Sequence, residues 1–342
     1  MRQEIYFIIC TLLFCVALHP ALAQYGGPGM GNRGYASDGF EGFESLEDGR
    51  IKQKERSIWF RLSADTASEQ MAYCRQREAD GKLNSARKGY EALVRKWPVT
   101  LEATQAQLAL ANVQEKRKQY GKAFDEYQYA LTHYAGNCPY DEIIDRQFRI
   151  ANYLLHNNTS MFGWVLSGTK DIRMRFEQIV VNAPRSPVAA EAMLKVGSIR
   201  EGDKDYEEAI KVYDGLLNRF PNSKEAVTAA YLSSKCRYTL SIKYGYNENY
   251  CRESIAFLKA ALLRMPNHPD QKDLKQWLLE LTDLLIEQNY QKALFYDTKR
   301  YNTTAKVSAY RRFLAEFSDS KHGETVRNRM DELSLEQPDN PK

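Results

Sequence analysis

Few residues of this 342-residue chain occur in combinations that could carry out chemistry. The segment from Gly163 to Lys170 comes near a phosphate-binding loop, in which glycines and a lysine surround phosphate groups. Its lysine stands one position late, and no strand-like segment precedes it. The five histidines lack paired metal-ligand spacing, and no Gly-x-Ser-x-Gly motif marks a nucleophilic serine. The sequence therefore predicts no metal, no cofactor and no catalytic residue.

Thiol chemistry is the other possibility. Downstream of the apolar N-terminal segment the cysteines are Cys74, Cys138, Cys236 and Cys251. Disulfides form in oxidising compartments, and Cys236 and Cys251 flank one predicted helix–helix turn at unequal distances from it. The alternative is that all four are small buried side chains.

The overall composition excludes several functional classes. Lysine and arginine total 48 and aspartate and glutamate total 44, so the net charge is +4. This small excess is spread along the chain and does not predict nucleic-acid binding. With 43% hydrophobic residues the chain can form a sizeable core, and it is neither wholly disordered nor a multispanning membrane protein.

The N-terminus has the features of an export signal. An apolar run from Ile5 to Val16 is too short to span a bilayer, and Ala21-Leu22-Ala23 provides a cleavage site after it. We predict a signal peptide over residues 1–23 and export to the periplasm or the periplasmic face of the outer membrane; an uncleaved anchor is the alternative. Cys10 and Cys15 follow bulky residues, so no lipid anchor is predicted.

The rest of the chain divides by composition. Residues 24–50 are rich in glycine and poor in aliphatic residues, which predicts a disordered tether. From Ile51 onward apolar residues recur three and four apart, the spacing of helices. We predict a helical domain over residues 51–336 and a disordered tail over residues 337–342.

A repeat is visible within this helical region. The stretch from Met193 to Pro221 resembles the tetratricopeptide unit of about 34 residues. Small residues stand where two antiparallel helices cross, a tyrosine and a leucine fill the space between one helix pair and the next, and a proline ends the unit. The pattern predicts an all-α superhelical solenoid of about five to six helix pairs rather than a non-repeating bundle. The predicted packing positions are Ala86, Tyr90, Pro98, Ala123, Tyr127, Gly197, Ala209, Tyr213 and Pro221.

Several segments suggest a family. The runs Tyr290–Tyr296, Tyr310–Leu314 and Arg219–Ser223, with the loop-containing stretch Gly168–Pro187, resemble BamD-type outer-membrane assembly lipoproteins. The resemblance covers roughly residues 66–333. It implies a non-enzymatic adaptor beside the membrane that binds the periplasmic domains of the outer-membrane insertase or unfolded outer-membrane protein segments.

Two surfaces are candidates for binding a partner. Stacked helix pairs form a concave groove lined by their first helices, and its mixed apolar and charged residues suit an extended peptide or a partner helix. The predicted groove residues are Met71, Arg75, Glu78, Leu108, Asn112, Glu115, Leu194 and Glu201. From the resemblance alone we add a second surface in the last repeat, with Tyr296, Arg311 and Arg312.

The sequence thus favours an adaptor in β-barrel assembly. One alternative is a periplasmic scaffold for cell-wall or division complexes, of the Tol-Pal accessory type. Another is an enzyme whose helical array carries a catalytic domain, as in superhelical lytic transglycosylases. The second alternative is disfavoured because no stretch outside the repeats is long enough for such a domain.

Overall fold

The computed structural model describes residues 43–45, 51–53, 63–160, 166–245, 247–266, 269–299 and 301–335. The chain divides into two units, Met1–Trp59 and Phe60–Lys342. The predicted signal peptide and C-terminal tail lie outside the described residues.

The first unit contains two short strands, β1 (Phe43–Ser45) and β2 (Ile51–Gln53). They pair antiparallel, with Phe43 opposite Gln53 and Ser45 opposite Ile51. The sequence between them includes Asp48-Gly49, a pair typical of hairpin connections. The helical pattern predicted from Ile51 begins instead at Ala67, where the Thr66 side chain accepts a hydrogen bond from the Glu69 backbone and completes a capping box.

The second unit is helical, as predicted. Among the described residues it has thirteen α-helices, which form six antiparallel pairs and a single terminal helix, and a short 3-10 turn at Ala135–Asn137. Each helix packs against the next one along the chain, and first helices of successive pairs also meet. The helices are α1 (Ala67–Ala79), α2 (Leu83–Lys96), α3 (Leu101–Lys116), α4 (Tyr120–His133), α5 (Tyr140–Ser160), α6 (Leu166–Asn182), α7 (Pro187–Gly202), α8 (Tyr206–Arg219), α9 (Lys224–Lys243), α10 (Glu248–Arg264), α11 (Gln271–Thr298), α12 (Thr303–Phe317) and α13 (Gly323–Leu335).

The packing between the two helices of a pair explains the repeat. A Cβ atom added to Gly197 would lie 2.3 Å from the ring of Tyr213, so only glycine lets this ring lie against α7. Tyr90, Tyr127 and Tyr213 are among the largest fully buried side chains. Of the other predicted packing positions, Ala86, Ala123 and Ala209 are fully buried, whereas Pro98 is half-buried and Pro221 is exposed.

The last pair differs from the regular ones. Its first helix, α11, is the longest of the described helices and runs without a break from Gln271 to Thr298. Its length lets it contact both α9 and α10 before it packs against α12.

The cysteines carry no disulfide in the described part of the chain, and Cys74, Cys236 and Cys251 are buried as free thiols. The register of α9 and α10 explains why Cys236 and Cys251 are not paired. The Ser241 hydroxyl donates a hydrogen bond to the Ser254 hydroxyl, 3.0 Å away, which places these two residues side by side. Cys236 is farther from the turn than Ser241, and Cys251 is nearer to it than Ser254. The two thiols are therefore displaced in opposite directions along the helices.

Candidate protein-binding surfaces

A hydrogen-bonded group of three side chains connects the first two repeats. The hydroxyl of Tyr90, on α2, donates to Oε2 of Glu78 on α1 over 2.9 Å. Nζ of Lys116, on α3, donates to Oε1 of the same carboxylate over 2.7 Å. One carboxylate thus joins both helices of its own repeat to the first helix of the next. We call such a group a tyrosine link.

Tyrosine links recur along the array, with Glu or Asp as the carboxylate and Lys or Arg as the cation. The further links are Tyr127–Glu115–Arg146, Tyr213–Glu201–Lys235 and Tyr310–Asp297–Arg329. Burial, followed by the neighbouring carboxylate, raises the pKa of Tyr127, so its hydroxyl stays protonated and can donate. The Arg329 guanidinium, followed by Tyr310, lowers the pKa of Asp297 to about 2. The Asp297 carboxylate therefore remains charged, and it joins α11 to α12 and α13.

These links account for the polar residues predicted to line the concave groove. Glu78, Glu115 and Glu201 are their carboxylates. Oδ1 of Asn112 accepts a hydrogen bond from Arg146 over 2.7 Å and lies 2.7 Å from the Tyr127 hydroxyl oxygen. Most polar atoms expected to contact a partner thus contact another repeat.

The remaining predicted groove residues divide by exposure. Met71 is buried, and Leu108 and Leu194 are partly buried against core clusters. Arg75 is exposed and donates to the Gln105 side chain over 3.0 Å. The concave face therefore offers fewer free side chains than the sequence predicts.

The predicted late surface coincides with a groove of about 770 Å³ between α10, α11 and α12, which we call the C-terminal groove. Tyr296 and Arg312 line it, whereas Arg311 is exposed on α12 and is not among its lining residues. The sequence did not indicate the contribution of α10, which provides Glu248 and Arg252. That contribution depends on how α10, α11 and α12 align with one another, and a local sequence motif cannot predict this alignment.

Three aromatic residues are exposed at this groove. Phe295 is 49% exposed, Tyr296 38% and Tyr301 43%. The Tyr296 and Tyr301 ring centroids are 4.9 Å apart, and the Phe295 ring lies 6.0 Å from Tyr296. The Lys299 ammonium lies 5.7 Å from the Phe295 ring centroid. A cluster of exposed aromatic rings is typical of a protein-binding surface.

Ion pairs reinforce the walls of the C-terminal groove. Arg252 on α10 donates to Glu248 over 2.7 Å and to Glu316 on α12 over 2.8 Å. Lys292 on α11 also donates to Glu248. Lys292, followed by Arg252, lowers the pKa of Glu248 to about 2. The three helices are thus connected by charge, and the groove keeps a defined shape.

Among the residues that the structure describes, no three histidine, cysteine or acidic side chains converge as a metal ion would require. No helix in the described ranges combines the length and the apolar character needed to cross a bilayer.

Comparison with known families agrees with the geometry. Residues 77–142 match the tetratricopeptide repeat family. With its stacked helix pairs, the chain is a tetratricopeptide-repeat protein. Residues 169–335 match the family YfiO, described as outer membrane lipoprotein. This part of the chain is therefore similar to the BamD-type family, as the late-repeat residues predict. None of the curated proteins matches the sequence.

Several solved tetratricopeptide-repeat structures align with the chain at low identity and low TM-score. One from Parabacteroides merdae is 15% identical and has a TM-score of 0.30, with 79% of this chain and 98% of that chain covered. YrrB, titled a TPR protein with an unusual peptide-binding site, is 16% identical, with a TM-score of 0.31 and coverage of 62% and 92%. The C-terminal part of a protein from Cytophaga hutchinsonii is 14% identical, with a TM-score of 0.32 and coverage of 77% and 88%.

Proposed function

We propose that the protein is a non-enzymatic adaptor in the assembly of outer-membrane β-barrel proteins. The observation that carries the proposal is the position of the YfiO match. It extends from α6 to the end of α13 and includes the C-terminal groove with its exposed aromatic side chains. The partner in this proposal is a periplasmic domain of the membrane insertase or an unfolded segment of an outer-membrane protein.

The polar groups of the array support an adaptor rather than an enzyme. The tyrosine links use buried tyrosines and charged carboxylates to join repeats. Tetratricopeptide and YfiO families are typically scaffolds without catalysis. In this proposal the repeats form a stiff support, and the function lies in what the array binds.

The proposed location is the periplasm or the periplasmic face of the outer membrane. The apolar segment Ile5–Val16 with the Ala21-Leu22-Ala23 site supports export, and the family description supports the outer membrane. Fractionation of native cells with an antibody against the protein tests this. Recovery in the cytoplasmic fraction would contradict it.

Deletion of the gene in its native host tests the function. We expect reduced amounts of outer-membrane β-barrel proteins, with unchanged amounts of inner-membrane proteins. Crosslinking in intact cells should capture the insertase or a barrel precursor. Normal barrel amounts, with neither partner captured, would overturn the proposal.

Complementation with point variants connects the function to the groove. Tyr296→Ala removes an exposed ring of the aromatic cluster, so we expect it to restore barrel assembly only partly. Tyr153→Ala removes a similarly exposed ring from α5, outside the groove, and should restore assembly fully. If the two variants restored barrel assembly equally, the aromatic cluster would not be needed for the function.

A further inference from the structure

The C-terminal groove contains one charged group that the fold does not use. Its other charged lining residues are paired: Glu248, Arg252, Lys292 and Glu316 with one another, and Glu287 with His322 and Lys321. Arg312 is exposed, and no ion pair or hydrogen bond engages its guanidinium within the described ranges. Among the charged residues that line the groove, Arg312 is therefore the one whose charge no other described residue pairs.

The same groove also contains an amide without partners. Both side-chain amide atoms of Gln288 are buried and make no hydrogen bond among the described residues. The Nε2 atom lies near the α9–α10 turn, 3.9 Å from the position a Cβ atom on Gly245 would take. Leaving a buried amide unsatisfied costs free energy, so folding alone favours an apolar side chain here.

The two groups indicate what would satisfy them. A primary amide presents a donor and an acceptor side by side, which match the C=O and N–H of a peptide backbone. A guanidinium binds a carboxylate through two parallel hydrogen bonds. The rings of Phe295 and Tyr296 line the same groove, and the adjacent exposed ring of Tyr301 extends their apolar surface.

We propose that the C-terminal groove binds an extended peptide segment in which an acidic residue follows an aromatic or large apolar residue. Arg312 binds the acidic side chain, the exposed rings pack against the apolar one, and Gln288 turns about its side-chain bonds to bind the backbone. This inference rests on the proposed adaptor function and adds the chemistry of the bound segment. A polyanion such as a nucleic acid fits less well, because Arg252 and Lys292 are already neutralised.

Fluorescence anisotropy with the purified full chain tests the inference. The probe is a fluorescein-labelled peptide of repeated Gly-Phe-Asp triplets, and the comparison peptide has asparagine in place of aspartate. We expect the acidic peptide to bind more tightly. Arg312→Gln should weaken its binding about tenfold or more, the usual effect of losing a charged hydrogen bond, and leave the comparison peptide unchanged.

A matched control removes a charge that does not line the groove. Lys259 is exposed on α10, and Lys259→Gln should leave the binding of both peptides unchanged. If it weakened the acidic peptide as much as Arg312→Gln, general attraction by positive charge would replace the proposed contact.

Gln288→Leu separates binding from folding. Removing an unsatisfied buried amide should leave the urea midpoint of unfolding unchanged or raise it, while the binding of both peptides weakens to a similar degree. Unchanged binding in this variant, or no binding of the acidic peptide to the unaltered protein, would overturn the inference.

The outcomes distinguish this inference from the proposed function. If peptide binding depends on Arg312 but barrel assembly is normal after gene deletion, the proposed peptide contacts hold and the proposed role in barrel assembly is wrong. If barrel assembly is impaired but the peptide does not bind in this way, the proposed function holds and the proposed peptide contacts in the groove are wrong.

Discussion

The regular repeats and the C-terminal groove contain similar polar residues, but those of the repeats bind one another, whereas two of those in the groove bind no other described residue. In the repeats each linking carboxylate is bound by a tyrosine and by a cation of the next repeat, as Glu115 is bound by Tyr127 and Arg146. In the groove, Gln288 and Arg312 are without partners in the described part of the chain. Polar groups that have hydrogen-bond or ion-pair partners within the array stabilise it, whereas polar groups without such partners are available to bind another molecule.

The largest expected effect concerns aromatic side chains in the two regions. Tyr213→Ala should destabilise the protein by about 3 to 5 kcal/mol, because the fully buried ring leaves a cavity against Gly197. Tyr296→Ala, at an exposed ring, should cost less than about 1 kcal/mol. Urea unfolding followed by circular dichroism measures both. Similar losses would mean that Tyr296 is as structural as Tyr213.

The pH dependence of stability should differ in sign between the two ends of the array. Burial raises the pKa of Glu126 to about 7, and Glu91 and Asp125 add to the effect while Gln107 and Arg87 oppose it. The folded pKa exceeds the ordinary value of 4.5, so this stabilisation is complete below about pH 4.5 and is lost as the pH rises through about 7.

Glu126→Gln isolates this effect. We expect the urea midpoint of the parent to fall between about pH 4.5 and about pH 7 and that of the variant to fall less. Asp297 provides the opposite case, because its pKa is lowered to about 2 from 3.8. Its stabilisation is present above about pH 3.8 and is lost as the pH falls through about 2. Parallel pH slopes in the parent and Glu126→Gln would contradict the account of Glu126.

The sequence predicts contacts within one repeat better than contacts between repeats, because only the former join residues at a fixed spacing along the chain. The repeat spacing predicts that Gly197 lies where the two helices of a pair cross and that Tyr213 is buried between successive pairs. The Tyr213 ring is buried, but it packs against Gly197 within its own pair. The links between repeats depend on residues such as Glu201 and Lys235, which meet only when two repeats stack. The sequence predicts that Glu201 lines a groove for a partner, but its carboxylate contacts Tyr213 and Lys235 of the array itself.

The C-terminal groove shows the same limit. The late-repeat residues predict that Tyr296 and Arg312 belong to a surface, and both line the groove. Gln288 carries no signal in the sequence, since an isolated glutamine in a polar helix is normally exposed. Its burial follows from the length of α11, which passes beneath the α9–α10 turn.

The next largest expected effect tests whether the three side chains of a tyrosine link stabilise the protein cooperatively. Glu115→Gln keeps the shape of the side chain and removes the charge shared by Tyr127 and Arg146, at a cost of about 1 kcal/mol for partly exposed groups. Tyr127→Phe should cost a similar amount. Because both variants break the same link, the double variant should cost less than the sum. Additive costs in urea unfolding would show that the three side chains act independently.

The smallest expected effect concerns the turns that join the helices of the regular repeats. In the described residues, a left-handed backbone conformation occurs at Gly81, Lys118 and Lys204, each between the two helices of a repeat. Only glycine adopts this conformation without a steric cost, so Lys118→Gly should stabilise the protein by up to about 1 kcal/mol. Lys122→Gly, within α4, should destabilise it by a similar amount, because glycine is unfavourable inside a helix. Opposite shifts of the urea midpoint would establish that the turn conformation, rather than the loss of a lysine charge, causes the difference. A loss of stability in Lys118→Gly would mean that the lysine side chain stabilises the turn more than the backbone strain opposes it.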